Sequence, residues 1–124
     1  MKKGKILVVD DDEVHLKLVD AMLAPQCYEV SRLKDGKDVV ATAHARKPDV
    51  ILLDVMMPGV DGYTALAAVK KDPLTKSIPV IMVTALGTEL NRKLAEQLGA
   101  NGYITKPIEL KNLLTTIGGV LSPK

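Results

Sequence analysis

The sequence predicts an α/β fold: one (βα)5 doubly wound domain, a parallel sheet with helices on both faces. Three observations carry this. Short apolar runs recur five times along the 124 residues, separated by longer amphipathic segments. The run Ile6-Leu7-Val8-Val9 is apolar at successive positions, as in a strand covered on both faces. Strands that alternate strictly with helices argue for parallel pairing.

The first strand is expected over 5–10, and Asp12 then caps a helix over about 13–24. Val14, Leu18 and Met22, with Val19 and Leu23, form its expected apolar stripe, and Pro25 stops it. Tyr28 to Leu33 reads as a second strand, and Asp35-Gly36 as a turn. A short helix over 37–46 presents Val39, Val40 and Ala43 before Lys47-Pro48 breaks it. The third strand is 49–54. A breaker-rich loop follows at 56–62, then a helix over about 63–71 with Tyr63, Leu66 and Ala67 inward.

The loop from Asp72-Pro73 closes at Pro79, and the fourth strand is 80–84. Gly87 or Thr88 opens the next helix, whose expected stripe is Leu90, Leu94 and Leu98. Gly99 stands where a left-handed C-terminal cap belongs. The fifth strand is 102–105. The last helix starts near Glu109 and carries Leu113, Leu114, Ile117 and Leu121.

No linker, repeat or low-complexity segment interrupts these units, so residues 1–124 read as one domain. Right-handed crossovers restrict the topology, and a flavodoxin-like strand order of 2-1-3-4-5 suits five units. Ligands of such sheets bind at the carboxyl ends of the strands flanking the switch point, here strands one and three.

Composition narrows the function. With 17 basic and 15 acidic residues the net charge is +2, too balanced for nucleic acid or a membrane surface as partner. Three Tyr and no Phe or Trp leave little for bases to stack on. The single cysteine, Cys27, forbids an internal disulfide or a Cys-based metal site and reads as a small apolar residue. No stretch has the length of a membrane span, and the first residues lack a signal-peptide pattern, so a cytoplasmic protein is expected.

The apolar runs end on chemistry. The first runs into Asp10-Asp11-Asp12, the third into Asp54, the fourth into Thr84 and the fifth into Lys106. In a parallel sheet these ends share one edge. Two carboxylates about 4 Å apart at an effective dielectric of about 20 repel by about 4 kcal/mol. They must point apart, share a proton, or be bridged by a cation. Hard oxygen donors suit Mg²⁺. An ammonium and a hydroxyl beside them suit an incoming phosphoryl group. Asp54 is the natural nucleophile, because it ends the central strand alone while Asp10 and Asp11 form a pair. Any one of these residues alone would be a cap, a strand residue or a solvated charge. Four strands delivering them to one edge are hard to assign to capping. His15 and His44 read as surface helix positions with no partner acid in a metal spacing, and Asp61-Gly62 as a turn and cap.

Four segments together resemble the response-regulator receiver domain of two-component signalling: Val8-Val9-Asp10-Asp11-Asp12, the stretch from Leu53-Asp54 to Asp61-Gly62, Val83-Thr84-Ala85, and Gly102-Tyr103-Ile104-Thr105-Lys106-Pro107. The resemblance runs from residue 5 to about 121. It implies Asp54 as phosphoacceptor from a sensor histidine kinase or histidine phosphotransfer protein. It implies Mg²⁺ held by Asp11, Asp54 and the Met56 backbone carbonyl, with Asp10 acting through water. Thr84, Lys106 and the Ala85 backbone would hold phosphoryl oxygens. Tyr103 would be the aromatic that swings inward as Thr84 moves, and Lys106-Pro107 a cis peptide. The output would be a changed surface on the fourth helix, fifth strand and fifth helix, with an unknown downstream target and a phosphorylation-dependent dimer in prospect. Such a domain is not an enzyme on external substrates; it catalyses only its own phosphorylation and dephosphorylation. Met56 and Leu86 are apolar where polar groups can orient water, which implies slow loss of the phosphoryl group. Ile108 stands where the family often has Phe.

Two other readings are weighed against this. Asp10-x-Asp12 resembles the nucleophile motif of haloacid-dehalogenase phosphohydrolases, which would phosphorylate Asp10 rather than Asp54. A phosphate-independent interaction domain would have no use for the complete acidic edge.

Overall fold

A computed structural model describes residues 4–55, 62–85 and 89–121. Ten elements follow in strict alternation: β1 Gly4–Val9, α1 Glu13–Leu23, β2 Tyr28–Leu33, α2 Val39–Arg46, β3 Val50–Asp54, α3 Gly62–Lys71, β4 Val80–Thr84, α4 Glu89–Gln97, β5 Gly102–Thr105 and α5 Leu110–Leu121. Single 3₁₀ turns at Ala24–Gln26 and Gly36–Asp38 lead into β2 and α2. The five strands pair in parallel in the order β2-β1-β3-β4-β5, as the crossover rules require.

Alternation along the strands sorts the core into two layers. Leu7, Val9, Ile51, Leu53 and Met82 face a layer with Val39, Ala43, Leu66, Val69 and Ala95 from α2, α3 and α4. Ile6, Val8, Val50, Leu52, Ile81, Val83 and Ile104 face Leu16, Val19, Leu23, Leu113 and Ile117 from α1 and α5. β3 and β4 are buried at every position, the continuous apolar pattern of a doubly covered sheet.

In two helices only part of the expected stripe faces inward. In α1, Leu16, Val19 and Leu23 are buried, whereas Val14 is 74% and Leu18 46% exposed. In α4 the buried residue is Ala95; Leu90 is 79% and Leu94 40% exposed, and only Leu98 just beyond the helix packs on the core. In each helix the buried and exposed apolar residues lie on different sides, and the sheet takes one of them. In α3 likewise, Ala65, Leu66 and Val69 are fully buried, while Tyr63 and Ala67 are half-buried.

The caps follow the sequence. The Asp12 side chain accepts from the Val14 and His15 backbone N–H groups and starts α1. Gly99 has φ +102°, the left-handed conformation expected after α4. The proposed openers of α4, Gly87 and Thr88, lie outside the described residues. Among the described residues no helix is long and apolar enough to cross a membrane.

The opposite, amino-terminal end of the sheet is closed by Lys70. Its ammonium donates to the Ile78 carbonyl at 2.9 Å, the Lys76 carbonyl at 3.3 Å and Asn101 Oδ1 at 3.0 Å. Burial pushes this amine below the usual lysine range. Asn101 Oδ1 also accepts from the Val80 N–H, so one amide ties α3, β4 and the start of β5 together.

Candidate functional site

Each strand hands its last residue, or the one after it, to the carboxyl edge of the sheet. Backbone pairing continues up to these residues and holds them. Asp10 N–H donates to the Leu33 carbonyl at 3.0 Å, Val55 N–H to Val83 at 3.1 Å, and Lys106 N–H to Thr84 at 2.7 Å. Asp10 and Asp54 are 2% and 4% exposed and Thr84 is fully buried, while Asp11 and Ala85 face outward. Met56 and Leu86 lie outside the described residues.

Carboxylate oxygens of Asp10, Asp11 and Asp54 lie within 4.8 Å of one another. At such a separation two full charges at an effective dielectric of about 20 repel by about 3–4 kcal/mol. The Lys106 ammonium offsets part of this, standing 3.4 Å from Asp54 Oδ1 and 3.7 Å from Asp10 Oδ2. The Lys106-Pro107 peptide is cis, as the resemblance implies.

Asp10 is held by more than Lys106. Its Oδ1 accepts the Asp12 N–H at 2.9 Å, and its Oδ2 is hydrogen-bonded to His15 Nδ1. Burial alone would push this carboxyl up. The His15 contact, the Asp12 N–H and the charge of Lys106 outweigh it and hold Asp10 below the usual carboxylate range.

His15 is therefore a member of the site, largely covered rather than at the expected helix surface. The Asp12 cap folds the first turn of α1 back over the end of β1, and His15 is the third residue of that turn. The signal was present: an N-cap two residues after a strand-ending acid brings the first helical turn beside that acid. His44 is exposed on α2, as expected, and its Nε2 is 2.7 Å from Asp72 Oδ2. Cys27 ends the 3₁₀ turn at Ala24–Gln26, at a helix end, and is exposed with φ +66°.

Tyr103 is half-buried on β5, paired in register opposite Met82, with the Arg92 guanidinium 5.1 Å from its ring centroid. Burial, and then the neighbouring Tyr63 hydroxyl, raises its phenol above the usual range. Tyr63 in turn donates to Asn91 Oδ1 at 3.1 Å. Ile108 is buried, 8% exposed, against the α1–α5 layer.

The donor set fits a hard divalent cation. Three carboxylates converge without a thiol, and the acids carry more negative charge than one ammonium balances. Asp10, Asp11 and Asp54 are the described residues that would hold it.

The family model of the response regulator receiver domain matches residues 6–118. The chain is 47% identical over 106 residues to "Response regulator PleD" of Caulobacter vibrioides, covering 86% of this chain and 23% of PleD. It thus spans about a quarter of that relative. "Protein PilH" of Pseudomonas aeruginosa is 40% identical over 119 residues, covering 96% of this chain and 98% of PilH. Chemotaxis response regulator CheY4 of Vibrio cholerae superposes with a TM-score of 0.88 at 32% identity, covering 95% of this chain and 98% of that one. The receiver domain of sensor histidine kinase PA1611 from Pseudomonas aeruginosa PAO1, solved with a magnesium ion in its active site cleft, gives 0.87 at 30% identity and covers 95% and 97%. On the match over 6–118 and on relatives at this identity along nearly its whole length, the chain belongs to the response-regulator receiver domains of two-component signalling.

Proposed function

We propose that Asp54 accepts a phosphoryl group from a histidine of a sensor kinase or phosphotransfer protein, with Mg²⁺, and that the domain signals through the surface of α4, β5 and α5. The observation that supports this best is the meeting of three carboxylates within 4.8 Å beside an ammonium 3.4 Å from Asp54. Capping needs none of that convergence.

In this reading an Asp54 oxygen attacks phosphorus. A P–O bond forms, the P–N bond to the donor imidazole breaks, and the imidazole leaves with the electron pair. Lys106 moves its hydrogen bonds to the phosphoryl oxygens, joined by the Thr84 hydroxyl and the Ala85 N–H. Mg²⁺, held by Asp11, Asp54 and the Met56 carbonyl, with Asp10 acting through water, would neutralise charge on the phosphoryl oxygens. Thr84 drawn toward the phosphoryl group leaves room for Tyr103, and the altered Tyr103–Arg92 face becomes the signal. The chain modifies only itself and turns over no external substrate.

Asp10 is a poor rival nucleophile, because both its oxygens already accept hydrogen bonds, from Asp12 and His15. Intact-mass measurement with acetyl phosphate and Mg²⁺ tests the proposal. One phosphoryl group added to wild type and none to Asp54→Asn is expected. An adduct lost in Asp10→Asn but kept in Asp54→Asn would point to the phosphohydrolase chemistry, and no adduct on wild type would overturn the reading.

A further inference from the structure

We infer that His15 is a built-in counter-group for Asp10, one that competes with the divalent cation for the same carboxylate. This rests on the cation reading of the acidic edge given above.

Asp10 is almost fully buried, so each of its oxygens needs a donor. Oδ1 has the Asp12 N–H, a backbone group that stays in place. Oδ2 has the His15 Nδ1, with Lys106 further off at 3.7 Å. An ionised carboxylate only accepts, so His15 gives Nδ1–H to it. The other ring nitrogen, Nε2, is buried without a hydrogen-bond partner among the described residues. Asp10 is therefore the one polar anchor of the ring.

Asp10, Asp54 and His15 line a common crevice of about 10 Å³ with Val8, Val19, Leu52 and Ile108. So small a space holds about one water at most. A cation that draws on Asp10 through one water therefore competes with the imidazole N–H for the negative charge on Oδ2. Part of the attraction that Asp10 offers a cation is already spent on His15. Removing the ring leaves the carboxylate positioned by Asp12 and by its own N–H bond to Leu33, but with only the more distant Lys106 ammonium facing Oδ2. Such a carboxylate is worse off without a cation and gains more from one.

The inference predicts two effects of opposite sign. His15→Leu lowers the melting temperature in the presence of EDTA, yet binds Mg²⁺ about tenfold tighter, the loss of one hydrogen bond to a charged group read as affinity. His15→Asn, whose amide can donate from the Nδ1 position, falls between His15→Leu and wild type on both scales. Calorimetric titration with MgCl₂ measures the affinity. A purely packing role for His15 would lower stability without tightening binding.

Should wild type bind Mg²⁺ and His15→Leu bind it equally or more weakly, the inference falls and the phosphoacceptor reading stands. An Asn variant that tracks wild type in stability while the Leu variant weakens binding would also overturn it. Absence of Mg²⁺ binding in wild type and both variants would overturn the reading beneath it and the inference together.

Discussion

Gly62 gives a sharp test of how the acidic edge is positioned. It opens α3 in contact with the backbone that carries Asp54. A Cβ built there would stand 2.3 Å from the Asp54 carbonyl oxygen and 2.6 Å from Val55 Cα. Real Cβ atoms keep beyond 3.0 Å, so alanine asks for about 0.7 Å of extra room. Neither neighbour is the end of a flexible side chain. β3 is buried along its length, and the Gly62 N–H bonds the Val55 carbonyl at 2.8 Å, so helix and strand must part together. Overpacking of this kind costs about 1–3 kcal/mol. For a domain of this size that lowers the melting temperature by roughly 4–12 °C. A shift of nearly 1 Å at the reacting carboxylate should also slow phosphorylation by about 10-fold to 100-fold. Thermal unfolding and the rate of mass gain with acetyl phosphate measure the two effects. Gly62→Ala that melts and phosphorylates like wild type would refute the steric argument.

Three further outcomes follow from the same physics. Leu16→Ala should cost about 2–5 kcal/mol in urea unfolding, against about 0.5 kcal/mol or less for the exposed Val14→Ala; equal losses would restore the other face of α1. Lys70→Met strips the donor from two carbonyls and the Asn101 amide, and should cost about 1–3 kcal/mol in the same assay. The His44 hydrogen bond, the largest influence, holds Asp72 below its ordinary value of 3.8. A carboxylate depressed in the folded state stabilises above that ordinary value and loses the contribution as pH falls below it. The gap in urea midpoint between wild type and Asp72→Asn should therefore be widest near neutral pH and shrink below about pH 4; a gap that grew on acidification would invert the sign.

The strands were legible almost to the residue, because burial on both faces writes an uninterrupted apolar run between turn residues. The acidic edge was legible for the same reason: a run that stops abruptly marks where the chain leaves the sheet. Helix faces were harder. In α1, Val14 and Leu18 are as apolar as Leu16 and Val19, and periodicity alone does not say which pair the sheet takes. Only the phase set by the Asp12 cap and the path from β1 decides it. In α4 the leucines drew attention away from Ala95, the one residue small enough to let the helix approach. His15 and Asp10 lie five residues apart on different elements, a relation that helical and strand spacing do not encode and that only the Asp12 cap carries. His44 and Asp72 pair across 28 residues, which no local spacing encodes.

β3 has a neighbour on each side and a layer above and below, and all five of its residues are buried. β2 and β5, by contrast, are edge strands with half-open faces. Amide exchange should consequently begin at the edges, while the β3 amides exchange only when the whole domain opens. Asp54 rides on that slowest segment. The edges can breathe, and a partner can pull on α4 or β5, without loosening the residue proposed to receive the phosphoryl group. A domain organised in this way can be pliable where it speaks and rigid where it listens.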